Sequence, residues 1–512
     1  MDALFAPLVD ATGASPDQIK LIVCLLIAYP LGSLYVRIPS NTPTLRHLFS
    51  IGIALFFLLP MLNMYTGLLQ LLGDMLFTYF VAKYHKGSAM PWIVFFFVLG
   101  HLMANHIIRV IYNLSYETIE VTGPQMVLVM KLTTYAWNVF DGRRKKEDLD
   151  AWQLANCITE YPSLVEFLGY CFYFPGFLVG PYLIWSDYMS LVHENVFKDQ
   201  KIKGSKGRNL ADGRKRVGYR KMFMGLAFLG TYVVFGGQYN YTVILTSGFA
   251  KKTLLERIAS LQLYGTMERC KYYALWTLTE GASIITGLGF TGFTPSGQST
   301  WNGAANVSPL AIEWPSNFKV LLDSWNMRAN VWLRECVYKR VTPKGKKPGF
   351  WSSMMTFAVS AFWHGAAVGY YLTFLMGGFI TTAARLVRSN VRPLVLPEVG
   401  KPAGLAKRLY DIVGTLISIL ILNYVTPPFM LLTWKESIEA WNRLAWYGHI
   451  IIMGGLVFFY VGGAKFFRSL QKKSASERPK FTPTPSGAAT PIGEKTFQLP
   501  PSFDKLAPPP KS

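Results

Sequence analysis

The chain has 512 residues, 51% of them hydrophobic and only 16% charged, with a formal net charge of +22. A soluble domain is nearer a quarter charged, and many stretches here approach the roughly 20 apolar residues that cross a bilayer. These numbers exclude a soluble globular fold. They predict an all-α, polytopic integral membrane protein with about 9–11 membrane-spanning or re-entrant helices. The positive excess reads first as topology, because Lys and Arg gather in cytoplasmic loops and meet anionic lipid. The basic loops separate apolar spans instead of decorating a soluble surface, so no nucleic-acid partner is expected. Five cysteines (Cys24, Cys157, Cys171, Cys270 and Cys336) form no CxxC and no ligand spacing with histidine, so no metal is expected.

The start is acidic (Asp2, Asp10, Asp17) and lacks the basic flank of a cleaved signal, so the first apolar run, residues 19–36, is predicted as a retained span broken by Pro30 and Gly32. Residues 45–60 and 61–81 follow so closely that they read as one broken or re-entrant hairpin. Asp74 in its second arm is expected to be interfacial or paired. Residues 92–112 form a strong span carrying His101 and His106. Five positions apart, these are badly placed to share a metal and are expected to make structural hydrogen bonds. Asn113-Leu-Ser is a glycosylation sequon only if that end is lumenal. Residues 123–140 are moderately apolar and end in D-G-R-R-K-K-E-D-L-D, a cytoplasmic marker.

Residues 164–185 include C-F-Y-F-P-G-F-L-V-G-P. Two prolines and two glycines in that run forbid a straight helix. Such backbone either kinks a span or lines a cavity, which makes Phe174 and Pro175 candidate chamber residues. Residues 198–221 carry ten Lys/Arg against Asp199 and Asp212. That loop either lies on anionic lipid or steers an anionic soluble substrate. A span at 222–237 follows, then one at 270–290 interrupted by Glu280 and Gly281. Glu280 is either a chamber carboxylate or an interfacial one. Residues 291–315, rich in Gly, Ser, Asn and Pro, read as loop.

The stretch 323–374 stands out. Its first half, D-S-W-N-M-R-A-N-V-W-L-R-E-C-V-Y-K-R, puts Trp325, Ala329, Trp332, Leu333, Cys336 and Val337 on one helical face. Arg328, Arg334, Glu335, Lys339 and Arg340 lie largely off that face. The pattern predicts a helix in the membrane interface or capping the bundle. Asn326 sits at its start. The second half, A-F-W-H-G-A-A-V-G-Y-Y-L-T-F, holds His364 with no charged residue within ten positions on either side. An imidazole in such a place is either a structural histidine or a neutral general base. Residues 354–386 exceed one perpendicular span and must tilt, break near Gly377–Gly378, or run on. Residues 410–429 and 446–467 are the last spans, with His449 expected near an interface. Residues 471–512 lack core-forming composition and are predicted to be a disordered cytoplasmic tail behind a membrane domain at 1–470. No P-loop, GxGxxG, HExxH or GxSxG occurs, and no internal repeat is visible.

W-N-M-R-A-N-V-W-L-R-E-C-V-Y-K-R followed by F-W-H-G-A-A-V-G-Y-Y, with Y-F-P-G-F-L-V-G-P and G-L-G-F-T-G upstream, resembles the membrane-bound O-acyltransferase family, in particular its fungal lysophospholipid acyltransferase branch. The resemblance implies a central catalytic chamber, with the core at about 162–386. It implies transfer of a fatty acyl group from acyl-CoA to a lysophospholipid hydroxyl in the endoplasmic reticulum membrane. Acyl-CoA is then a substrate, no cofactor is needed, and the partners are lysophospholipid and membrane lipid. His364 matches the family's catalytic histidine and Asn326 its second active-site residue. As a base, His364 would take the hydroxyl proton, while the Asn326 amide would either stabilise the oxyanion or orient substrate. Trp325, Trp332, Trp363, Gly365, Tyr370, Phe174, Pro175 and Glu280 are the expected chamber residues. A sterol, diacylglycerol or protein acceptor is the alternative within enzymes, and a transporter the alternative outside them.

Overall fold

The computed structural model describes residues 2–114, 118–198, 210–342, 349–397 and 402–476. Residues 199–209 of the basic 198–221 stretch, the lysine-rich loop at 343–348, Ser115 of the sequon and the tail from 477 lie outside the described residues. Within them the fold is all-α and polytopic. Its one strand pairing is a two-residue hairpin, Gly292–Phe293 against Ser299–Thr300. Five stretches are long and apolar enough to cross a membrane: Pro16–Tyr35, Pro43–Met61, Met90–Ile111, Leu405–Leu431 and Tyr447–Lys472.

Helix α1 (Asp2–Thr12) precedes α2 (Pro16–Tyr35), which opens on a capping box between Ser15 and Gln18. The expected break at Pro30 and Gly32 does not occur, and α2 runs straight through. The lost N–H of Pro30 is offset by packing. Gly32 abuts Ile285 and Thr286, and the Tyr29 hydroxyl donates to the Leu278 carbonyl at 2.8 Å. Helix α3 (Pro43–Phe56) ends in a π-turn (Phe57–Met61) and reverses at Asn63, with φ 56°, into α4 (Tyr65–Tyr84).

Helices α5 (Met90–Ile111) and α6 (Thr122–Gly142) pack together, and α6 is buried along almost its whole length. That explains its middling apolarity: its neighbours are protein, so it can carry Lys131, Thr133 and Thr134 inward. The buried Lys131 donates to the carbonyls of Tyr170 and Cys171 at 2.9 and 3.0 Å. Those carbonyls belong to the broken stretch predicted at 164–185, which forms two short helices, Leu164–Cys171 and Phe174–Phe177, and then an extended run. Backbone that leaves the helix inside a membrane protein must find partners, and here a lysine supplies them. The predicted paired state of Asp74 is present too, with His101 Nδ1 at 2.7 Å and the Gln125 amide donating at 3.0 Å.

Helix α7 (Arg214–Phe235) lies antiparallel to the 33-residue α8 (Leu254–Thr286). Gly218 faces Ile285 and Gly225 faces Leu278, and a Cβ at either glycine would come within 2.6 or 2.7 Å of those side chains. Small residues at the contact let the two backbones approach closely. After two short helices, Pro309–Glu313 and Phe318–Ser324, α9 (Met327–Leu333) continues into a π-turn (Arg334–Tyr338). Helices α10 (Phe350–His364) and α11 (Val368–Asn390) then form an antiparallel hairpin: Phe357 meets Gly377, Met354 meets Gly378, and Arg385 reaches Ser353. Helices α12 (Leu405–Val425), α13 (Tyr447–Phe458) and α14 (Ala464–Ser476) complete the bundle. The predicted tail boundary at 471 moves, since α14 continues to Ser476. His449, expected at an interface, bonds Tyr424 at 2.5 Å.

The helix ends sort into two groups. Arg143 reaches the carbonyls of His85 and Ala82, joining the ends of α6 and α4. Lys339 pairs with Asp150 at 2.7 Å, and Thr342 bonds Ser352 at 3.1 Å, which brings the start of α10 to the same end. This end is strongly basic. The α5–α6 turn and the start of α8 lie at the other.

Candidate active site

The site grows from two breaks in helical structure. The first precedes α9. A short helix, Phe318–Ser324, stops, and Asn326 adopts φ 44°, ψ 53°, a left-handed conformation that asparagine tolerates better than most residues. Trp325 therefore does not share the helical face predicted for it. It packs instead on α8, edge-on to Tyr272, Tyr273 and Trp276 at 5.4, 6.1 and 5.0 Å between ring centroids.

The unpaired N–H groups that open α9 are satisfied by Asn306. Its carbonyl accepts from Met327 N at 2.8 Å and its Oδ1 from Arg328 N at 3.0 Å. Asn326 makes no side-chain cap to its own helix, and it lines a cavity. Beyond it, the helix predicted to lie in the interface or cap the bundle buries Ala329, Val331 and Trp332 and leaves Asn330 exposed. Trp332 is fully buried and its indole N–H donates to Thr133 at 2.8 Å. The π-turn adds a residue to the last turn and swings Glu335 inward, where Lys339 meets it at 2.6 Å. Arg340, expected off the apolar face, is tied to Asp141 at 2.5 Å and stacked 4.2 Å over Trp137.

The second break is at His364, the last residue of α10. Gly365 follows with φ 135°, and the chain reverses into α11. The over-long apolar segment therefore breaks at Gly365 and not at Gly377–Gly378. Those two glycines sit inside α11, where a Cβ at Gly377 would press on Phe357 at 3.0 Å and one at Gly378 would overlap Met354 of α10. They serve close packing of the hairpin, and His364 is carried at its tip. The His364 ring is surrounded by Phe374 (5.2 Å, stacked), Phe429 (4.9 Å, edge-on) and Tyr370 (5.7 Å). His47, His101, His106 and His449 each have a hydrogen-bond partner. Among the described residues the His364 ring has none, so both its nitrogens are available to a bound molecule.

Two cavities meet here. The larger, about 590 Å³, runs between α5, α6, α8 and the hairpin tip toward the α5–α6 turn. The smaller, about 290 Å³, runs along α9 and α10 past Arg334 and Tyr338 toward the basic end. Asn326, Trp363 and His364 line both. Of the other predicted chamber residues, Gly365 and Tyr370 line the larger cavity and Trp325 the smaller. Trp332, Phe174, Pro175 and Glu280 line neither, which corrects their assignment. Phe174 packs on Tyr35 and Phe49, and Glu280 is buried against Lys221 at 2.9 Å. The same broken segment instead contributes Leu178, Val179, Gly180 and Tyr182. Sequence reasoning missed His106, Arg109, Glu120 and Asn306 in the larger wall. Only their tertiary neighbours distinguish them from ordinary turn and helix residues. No cluster of three or more His, Cys, Asp or Glu able to hold a metal occurs among the described residues.

A sequence profile of the membrane-bound O-acyltransferase family matches residues 92–426, which include Asn306, Asn326, the whole α10–α11 hairpin and Phe429's neighbour helix α12. The chain belongs to the membrane-bound O-acyltransferase family. It is similar to the lysophospholipid acyltransferase of Schizosaccharomyces pombe, 40% identical over 447 residues, or 87% of each chain. It is also similar to the lysophospholipid acyltransferase of Saccharomyces cerevisiae, 34% identical over 491 residues, covering 92% of this chain and 79% of that one. A mouse relative, membrane-bound glycerophospholipid O-acyltransferase 1, is 28% identical over 467 residues, 88% of this chain and 91% of the relative. Family membership makes the chain a multi-pass membrane enzyme of the O-acyltransferase class.

Proposed function

We propose that this acyltransferase moves a fatty acyl group from acyl-CoA to the free hydroxyl of a lysophospholipid, as part of phospholipid remodelling in the endoplasmic reticulum membrane. The observation that carries the reading is the meeting of two cavities at Asn326 and His364. A transferase needs donor and acceptor to arrive separately and touch at one point. The relatives' names supply the acceptor class.

The basic end is read as cytosolic. Acyl-CoA enters there, with its thioester in the smaller cavity, and the lysolipid occupies the larger one. A cavity of this size falls within the roughly 300–1,000 Å³ usual for small-molecule sites. His364 accepts the hydroxyl proton as oxygen attacks the thioester carbonyl. The C–O bond forms, a tetrahedral oxyanion collapses, the C–S bond breaks, and the imidazolium returns the proton to the CoA sulfur. No group besides the two substrates is consumed. The Asn326 amide donates to the oxyanion or holds the carbonyl in place. The aromatic walls around His364 keep water from competing with the lipid hydroxyl.

The test is acyl transfer by purified protein from labelled oleoyl-CoA to a panel of lysophospholipids, a sterol and diacylglycerol. Labelled diacyl phospholipid is the expected product. Sterol ester or triacylglycerol in its place would refute the assigned acceptor, and no acceptor-dependent CoA release would refute the reaction.

A further inference from the structure

The larger cavity is not uniform. Near α2 and α8 its wall is apolar, with Leu21, Leu62, Met64 and Leu275. At the α5–α6 turn it becomes polar, with Arg109, Glu120 and Thr122. Arg109 Nη1 meets Glu120 Oε1 at 2.9 Å, and its Nη2 donates to the Thr118 carbonyl at 3.4 Å. The Thr122 N–H donates to Glu120 Oε2 at 3.3 Å, and the Thr122 hydroxyl donates to Oε1. Both charged side chains are about one-fifth exposed, at 18% and 20%.

From this we infer that the Arg109–Glu120 pair reads the acceptor's head group: Arg109 binds the phosphodiester and Glu120 the cationic nitrogen beyond it. The inference rests on the lysophospholipid reading above and narrows it to zwitterionic acceptors. Register supports it. Arg109 follows His106 by three residues on α5, so the two share a face about one turn, roughly 5 Å, apart. The His106 ring lies against Gly365, whose Cβ position is 3.2 Å from it. Arg109 is therefore about one turn from the backbone that follows His364.

In a lysophospholipid, phosphorus lies four bonds from the reacting oxygen, a reach of about 5 Å at ordinary bond lengths. The nitrogen of choline or ethanolamine lies four bonds further on. A guanidinium offers five N–H donors in a fork, so Arg109 can hold phosphate and Glu120 together. Neighbouring opposite charges at the end of an apolar cavity match a zwitterion attached to an acyl chain.

The experiment measures kcat/KM of purified full-length protein for four acceptors with one acyl-CoA. These are lysophosphatidylcholine and lysophosphatidylethanolamine, which carry a cation, and lysophosphatidylglycerol and lysophosphatidic acid, which do not. Glu120→Gln should lower the first pair at least tenfold relative to the second. Arg109→Gln should lower all four without that bias. Glu120→Asp, which keeps the charge, should show a smaller bias and serves if the Gln variant does not fold. A cation-bearing to cation-free ratio unchanged within twofold in every folded Glu120 variant would overturn the inference and leave the pair as a fastener of the α5–α6 turn. Wild-type transfer to none of the four acceptors would instead refute the lysophospholipid reading itself.

Discussion

His106 Nε2 stands 3.3 Å from the carbonyl oxygen of Trp363, the residue immediately before His364. A carbonyl only accepts, so the imidazole is the donor and its Nε2 carries the proton. The last carbonyls of a helix lack intrahelical partners, and here another helix supplies one. The Trp363 indole N–H in turn donates to the Met126 carbonyl on α6 at 3.0 Å. One residue is thus tied by its backbone to α5 and by its side chain to α6, and His364 follows it.

That tie makes His106 a positioning residue. Replacing it with Ala leaves the Trp363 carbonyl without a donor, and we expect kcat to fall about tenfold, equivalent to roughly 1.4 kcal/mol. KM for both substrates should stay within about threefold, and His106→Gln, which still offers an amide N–H, should recover most of the rate. Equal losses in the Ala and Gln variants would remove the hydrogen bond from the explanation.

His364→Ala should abolish acyl transfer while the protein still inserts and elutes as the wild type does. Asn326→Ala should lose about a hundredfold in kcat, the scale of one oxyanion donor. Steady-state kinetics on purified protein decide both, and wild-type turnover in either variant would remove that residue from the chemistry.

Gly365→Ala addresses the tip itself. At φ 135°, ψ −169° only glycine is at ease, and a side chain there costs about 1–3 kcal/mol. We expect a lower melting temperature and a large loss of rate. Adding His106→Ala should not restore activity, because relieving the contact leaves the backbone strain.

The hairpin predicts that both ends of α10–α11 face the same side of the membrane. Cysteines placed at Trp351 and Leu396, both exposed, should label with an impermeant maleimide from one side only, the same for both. Four of the five native cysteines are buried, so the background reduces to Cys157. Labelling from opposite sides would mean that the segment crosses the bilayer.

Asn306→Ala removes the cap from α9 and should cost about 1 kcal/mol in stability, together with activity, because α9 begins at Asn326. Asn306→Asp keeps the accepting oxygen and should retain the wild-type melting temperature. A melting temperature for the Ala variant equal to that of the wild type would show that the cap does not hold α9.

The broad architecture was legible because apolar length is a local property. A membrane helix must satisfy its own backbone, so its extent is written in consecutive residues, as in α5. The neighbourhood of His364 was legible for a similar reason: a histidine in a run without charges is conspicuous. The helix breaks were not. Pro30 lies within a continuous helix because Tyr29 and Gly32 dock on α8, while Gly377 and Gly378 serve packing and not a turn.

The sequence by itself determined that this is a many-helix membrane protein and that His364 sits in a run without charges, and the family resemblance singled out Asn326 and His364 as a pair. Tertiary structure alone decided that they line the same two cavities. It also decided that Glu280 and Phe174 face away, and that His106, Arg109, Glu120 and Asn306 belong to the wall. The reason is physical. Burial of a side chain among protein, a hydrogen bond between α5 and α10, and a cap contributed from a distant loop all depend on which helices become neighbours. No periodicity within a single segment records that choice.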